Sequence, residues 1–102
     1  MGKRRRVGVE GGGTTFVVAL SEDGDDWSHV EERFEIPTTS AEETLQKVKE
    51  ILDQLYPFDA LGISCFGPLE LNETKEKYGY ITTTPKLQWK DTNILGILAG
   101  KD

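Results

Sequence analysis

Three consecutive glycines, Gly11-Gly12-Gly13, stand between two runs suited to β-strands, and this arrangement constrains the chain more than any other feature. Before them, Val7 and Val9 alternate with Gly8 and Glu10, the period of two that a strand requires. After them, Thr14-Thr15-Phe16-Val17-Val18-Ala19-Leu20 is β-branched and apolar, which predicts a second strand and not a helix. The pair therefore forms a hairpin with an unencumbered tip. Backbone N–H groups at Gly12 and Gly13 and the hydroxyls of Thr14 and Thr15 can approach an anion, because no bulky side chain stands in the way. Two other phosphate loops do not fit: no Gly-Lys-Ser/Thr follows the glycines, and a strand follows where the dinucleotide fingerprint needs a helix. Glycine turns also occur in hairpins for backbone reasons alone, so the anion site and the plain turn both stand at this point. The same holds for Glu10, which suits either a hydrated Mg²⁺ or a solvated strand end.

Further along, the Asp23-Gly24 pair predicts a turn, and Val30, Phe34 and Ile36 share one face of a third strand, with Glu32 as a misfit on that face. Ser40 followed by Glu43 is a capping-box pattern, and Leu45, Val48, Leu52 and Leu55 recur at helical spacing until Tyr56-Pro57. The nearly continuous apolar stretch from Asp59 to Phe66 predicts a strand covered on both faces, ended by Gly67-Pro68. Tyr78 to Thr82 suits an extended segment or strand, Thr83 to Trp89 a loop around Pro85, and Asp91 the start of a helix through Ile94, Leu95, Ile97 and Leu98. Leading hairpins followed by a crossover helix predict a mixed α/β sheet.

Bulk properties exclude several classes of function. A net charge of -6, from 18 acidic and 12 basic residues, does not suit a general nucleic-acid binder. The basic cluster Lys3 to Arg6 is short and abuts the first strand, which suits a solvated tail. No apolar run is long enough for a signal peptide core or a membrane span, and Cys65, the one cysteine, cannot form an internal disulfide or a Cys-rich zinc site. These features fit a cytoplasmic protein. At 102 residues the chain can enclose one core, but not two lobes with a cleft between them.

Taken together, Val7-Gly8-Val9-Glu10-Gly11-Gly12-Gly13-Thr14-Thr15-Phe16-Val17 resembles the opening strand and phosphate hairpin of the ROK family, in the fructokinase branch that carries Glu where many relatives carry Asp. Gly62-Ile63-Ser64-Cys65-Phe66-Gly67-Pro68-Leu69 is similar to the strand and sugar-side loop of bacterial fructokinases. Tyr78-Gly79-Tyr80-Ile81-Thr82-Thr83-Thr84-Pro85-Lys86-Leu87-Gln88-Trp89 resembles their long Tyr-Gly-x-Ile-x-x-Thr-Pro-Lys-x-x-Trp segment.

The resemblance implies an actin-like ATPase fold, related to ribonuclease H, of which residues 1–102 would form a partial N-terminal lobe. It implies ATP and a small sugar as partners, Mg²⁺ held with the help of Glu10, and ATP phosphates surrounded by Gly12, Gly13, Thr14 and Thr15. It places Gly67, Pro68, Thr84, Pro85, Lys86 and Trp89 on or near the sugar side. Phosphorylation of fructose to fructose 6-phosphate by a full-length protein is the expected activity, with homodimerisation open. Two departures stand out. Thr15 occupies a position where the family usually has Lys, and the family's catalytic Asp and its zinc ligands are expected beyond Asp102, so the chain alone is expected to be inactive. His29 on its turn does not replace a zinc site. Other readings are a non-catalytic sugar-sensing relative, or a kinase of another hexose such as glucose or N-acetylmannosamine.

Overall fold

A computed structural model describes residues 4–22, 30–84 and 86–100. Strand β1 (Arg5–Gly11), β2 (Thr15–Glu22) and β3 (Glu32–Pro37) are followed by helix α1 (Ala41–Leu55), strand β4 (Ala60–Cys65), a single 3-10 turn (Leu87–Trp89) and helix α2 (Ile94–Ala99). The four strands form one sheet in the order β3-β2-β1-β4. β1 is antiparallel to β2, β2 to β3, and β1 runs parallel to β4, with Val9 opposite both Val18 and Ile63. This is the mixed sheet expected, and α1 is its crossover.

Alternation along the strands decides which face is covered. Val7, Val9, Phe16, Val18, Leu20 and Ile36 all point to one side and are buried against Leu45, Val48, Leu52 and Leu55 of α1. Side chains of this size each gain about 1.5–3 kcal/mol from full burial, so this single layer accounts for most of the favourable energy of the fold. Glu32 does share the inner face, opposite Leu20, but it begins β3 and is exposed there, while Val30 lies before the strand and is 43% exposed.

Helix α1 starts where the capping pattern places it, but the cap differs in detail. Ser40 Oγ accepts from the Glu43 N–H at 3.2 Å, whereas the Glu43 carboxylate accepts from the Thr39 hydroxyl at 2.9 Å. A hydroxyl one residue further out thus takes the role that the Ser40 N–H plays in a reciprocal box. At the other end, the Arg5 guanidinium donates to the carbonyls of Leu55 (2.7 Å) and Pro57 (2.9 Å). Arg5 is therefore a C-terminal cap and not part of a solvated tail, because a cation there satisfies free carbonyls and opposes the helix dipole. Lys3, His29 and the Asp23-Gly24 turn lie outside the described residues.

Three sequence expectations are corrected. β4 is an edge strand, with Ala60, Gly62 and Ser64 exposed on the face away from α1, so only one of its faces is packed within the described residues. Tyr78 to Thr82 contributes isolated bridges at Ile81, to Leu69 and Thr92, and no strand; Gly79 at φ 84° turns the backbone just before. Helix α2 begins after Asn93, whose side chain accepts from the Gly96 N–H at 2.9 Å, while Asp91 sits at φ 57° and cannot start it.

Beside this layer, Ile81, Ile94 and Leu98 are buried with an aromatic cluster. Trp89 is 1% exposed and stacks on Phe16 with centroids 5.3 Å apart and planes at 15°, while Phe66 meets it edge-on at 5.3 Å. Its indole N–H donates to the Thr39 carbonyl at 2.9 Å. Trp89→Ala is expected to remove about 3–5 kcal/mol of stability, read as a lower urea midpoint at unchanged slope.

Beside this cluster, burial pushes the Cys65 thiol from its ordinary 9.0 up to about 11, against a smaller opposing effect of a backbone hydrogen bond to Phe66. The folded state therefore keeps this proton between those values while the unfolded state releases it, so stability falls as pH rises through that window. Alkylation of Cys65 by iodoacetamide at pH 8 is expected to be slow in the native protein and fast in denaturant.

Candidate functional site

The parallel pair β1 and β4 ends on the same rim of the sheet, and that rim is where open α/β sheets bind ligands, because loops leave there while the strands hold their starting points fixed. β1 runs directly into the glycine hairpin, and β4 into Phe66-Gly67-Pro68. The Phe66 N–H donates to the Gly11 carbonyl at 3.0 Å, so both loops leave from one anchored point.

At the tip, the Gly12 N–H donates to the Thr15 carbonyl at 2.9 Å, closing a tight turn around Gly13 and Thr14, both exposed. A side chain at Gly12 would place its Cβ 2.9 Å from that same carbonyl oxygen, so the turn needs glycine there for space. Gly11 has another reason: a Cβ would fall 2.6 Å from the Phe16 ring and 2.7 Å from Cys65 Sγ, inside the core. Among the described residues, the N–H groups of Gly13 and Thr14 meet no acceptor, and both residues are exposed.

The hairpin is held from outside by a segment that sequence reasoning passed over. The Thr38 N–H donates to the Thr14 carbonyl at 2.9 Å, and the Thr38 hydroxyl donates to the Gly12 carbonyl at 2.8 Å. Thr38 and Thr39 lie between β3 and the Ser40 cap, a stretch in which no residue was singled out from the sequence. Their only local signal was two hydroxyls in succession, which is too common to single out.

The remaining predicted residues divide into two groups. Lys86 reaches the hairpin: a Cβ placed on Gly13 would stand 3.1 Å from Lys86 Cε and 3.6 Å from Nζ. Gly67 and Pro68 lie on the β4 side of the rim, where the Pro68 carbonyl accepts from the Thr82 N–H at 2.9 Å. Thr84 and Trp89 are turned inward. Thr84 is buried and its hydroxyl accepts from the Lys86 N–H at 3.2 Å, and the Trp89 ring is enclosed by Phe16 and Phe66. Pro85 lies outside the described residues. A groove lined by Thr38, Thr39, Lys86, Leu87, Gln88 and the edge of Trp89 runs alongside.

Glu10 is exposed on the open face of the sheet, immediately before the hairpin, opposite Val17 and Ser64. Among the described residues no group of three or more His, Cys, Asp or Glu could hold a metal ion. A single carboxylate suits only a cation that keeps most of its water and takes further oxygens from a bound phosphate, which describes Mg²⁺ and not Zn²⁺. No helix among the described residues is long and apolar enough to cross a membrane.

The ROK family model matches residues 6–101. A fructokinase of Pediococcus pentosaceus is 46% identical over 90 residues, covering 88% of this chain and 30% of the relative. Fructokinases of Lactococcus lactis subsp. cremoris and Zymomonas mobilis are 38% and 41% identical, covering 88% and 85% of this chain and 30% of each relative. The chain thus spans about a third of the length of the curated relatives it matches. With the mixed sheet, the crossover helix and the glycine hairpin at the rim in place, the family match across residues 6–101 establishes that this chain belongs to the ROK family and has its actin-like ATPase fold.

Proposed function

We propose that these residues form the phosphate-holding part of an ATP-dependent sugar kinase whose substrate is fructose. The observation that carries this reading is the hairpin tip. Gly13 and Thr14 present unpaired N–H groups, Thr14 and Thr15 add hydroxyls, and Thr38 fixes the turn from behind. A rigid set of donors that is already in place loses little on meeting an anion, which is the requirement for phosphoryl transfer. Fructose as the sugar is supported by the relatives' names and by the Tyr78 to Trp89 segment that resembles theirs.

In this reading the hairpin orients the ATP phosphates, and Glu10 holds water of a hydrated Mg²⁺, which when bound neutralises phosphate charge. Gly67 and Pro68, on the neighbouring loop, border the sugar. The primary hydroxyl oxygen of the sugar bonds to the γ-phosphorus as the bond to the β,γ-bridging oxygen breaks. That electron pair leaves with ADP, and the hydroxyl proton passes to a carboxylate base that we place outside these residues.

The test is ATP-dependent phosphorylation of fructose, glucose and mannose by the whole protein, with fructose expected to have the highest kcat/KM. Gly12→Ala, which forces the hairpin apart at the Thr15 carbonyl, is expected to lower kcat/KM on the order of a hundredfold, with the circular dichroism spectrum retained. A wild-type protein that transfers phosphate to none of these sugars would overturn the reading.

A further inference from the structure

We propose that Lys86 is a phosphate-side residue: its ammonium group lies over the glycine hairpin and binds the nucleotide's phosphates there, and does not serve the sugar. The inference rests on the kinase reading above and assigns one more residue to its nucleotide site.

Three observations carry it. The first is reach. The end of the Lys86 side chain passes so close to Gly13 that a methyl group on that glycine would sit 3.1 Å from Cε and 3.6 Å from Nζ. The ammonium is therefore at the same tip that presents the Gly13 and Thr14 N–H groups. The second is that the charge has no carboxylate partner. Among the described residues Lys86 makes no ion pair, and its Nζ lies 5.9 Å from the Phe66 ring centroid, a cation–π contact at the outer limit of its range that leaves the ammonium without a counter-ion. The chain as a whole is acidic, at -6, and Glu10 adds a further negative charge close to the hairpin in sequence, so an anion here needs a local cation.

The third is that the backbone of Lys86 is held on both sides. Its N–H donates to Thr84 Oγ at 3.2 Å, and its carbonyl accepts from the Trp89 N–H at 2.8 Å. Trp89 is in turn packed on Phe16, from the strand that leaves the hairpin, and bonded to Thr39, next to the Thr38 that ties the turn. The side chain is thus launched from a base whose distance to the hairpin is fixed, which favours a defined ion contact over a wandering surface lysine. Thr15, at the other side of the tip, brings only a hydroxyl, so Lys86 supplies the positive charge that the turn itself lacks.

The experiment compares KM for ATP and for fructose in the whole protein, as wild type, Lys86→Gln, Lys86→Arg and Lys86→Gln with Thr15→Lys. Lys86 is exposed, so these variants are expected to fold, and circular dichroism checks that they do. Lys86→Gln is expected to raise the KM for ATP roughly tenfold or more while the KM for fructose stays within about twofold. Arginine at position 86 should recover most of the loss, and lysine at position 15 part of it, because both return a cation to the same phosphates. A rise in the fructose KM with that for ATP unchanged would overturn the proposal and assign Lys86 to the sugar. No change in either would overturn it too, as would failure of both cation replacements to rescue. A wild type that neither turns over nor binds ATP by calorimetry would end the kinase reading as well, and is told apart because it needs no variant.

Discussion

The indole of Trp89 is where three separate stretches of chain meet. Its ring lies flat on Phe16 from β2 and packs at a steep angle to Phe66 just past β4, and its N–H reaches Thr39 at the entry to α1. Each partner adjoins one wall of the glycine hairpin. Phe16 follows the turn, Phe66 is hydrogen-bonded to Gly11 before it, and Thr39 follows the Thr38 that bonds Gly12 and Thr14. Aromatic burial of this kind is stiff, since interiors are packed as densely as crystals and a displaced ring has nowhere to go. The exposed tip is therefore anchored to the core beneath it on both sides, although its own residues have almost no side chains with which to hold themselves.

That anchoring has chemical consequences. Donors that must be ordered at the moment of binding lose part of their energy to entropy, while donors already fixed do not. Here the turn is tied by groups from outside it: Thr38 bonds Gly12 and Thr14, and Phe66 bonds Gly11. The sheet assists through its asymmetry: one face is closed by α1, and the strands that end at the rim, β1 and β4, are the parallel pair. The open face carries small or polar residues such as Gly8, Ala19, Gly62 and Ser64, which leave the approach to Glu10 clear.

Much of this was legible in the residues. Period-two alternation in β1 to β3, the Ser40 cap and the helical spacing of Leu45, Val48, Leu52 and Leu55 are local signals, and the structure follows them closely. Segments that rely on long-range packing were harder to read. Tyr78 to Thr82 is β-rich in composition, yet Gly79 turns it and only Ile81 finds partners. The exposed face of β4 was hidden in an apolar run, since Ala60, Gly62 and Ser64 are small enough to suit either a buried or an open face. Arg5 looked like part of a charged tail because its acceptors, the carbonyls of Leu55 and Pro57, are brought to it only by the parallel pairing of β1 with β4.

By itself the sequence determined the hairpin, the crossover helix and the family, because glycine spacing, capping and apolar periodicity act between near neighbours and a long motif is specific as a string. The tertiary structure alone decided what each motif residue faces. Within one segment, Thr84 and Trp89 turn into the core while Lys86 turns out toward Gly13. No local rule distinguishes them, since the aromatic partners that enclose Trp89, Phe16 of β2 and Phe66 just past β4, lie far away in the chain and adjacent in space.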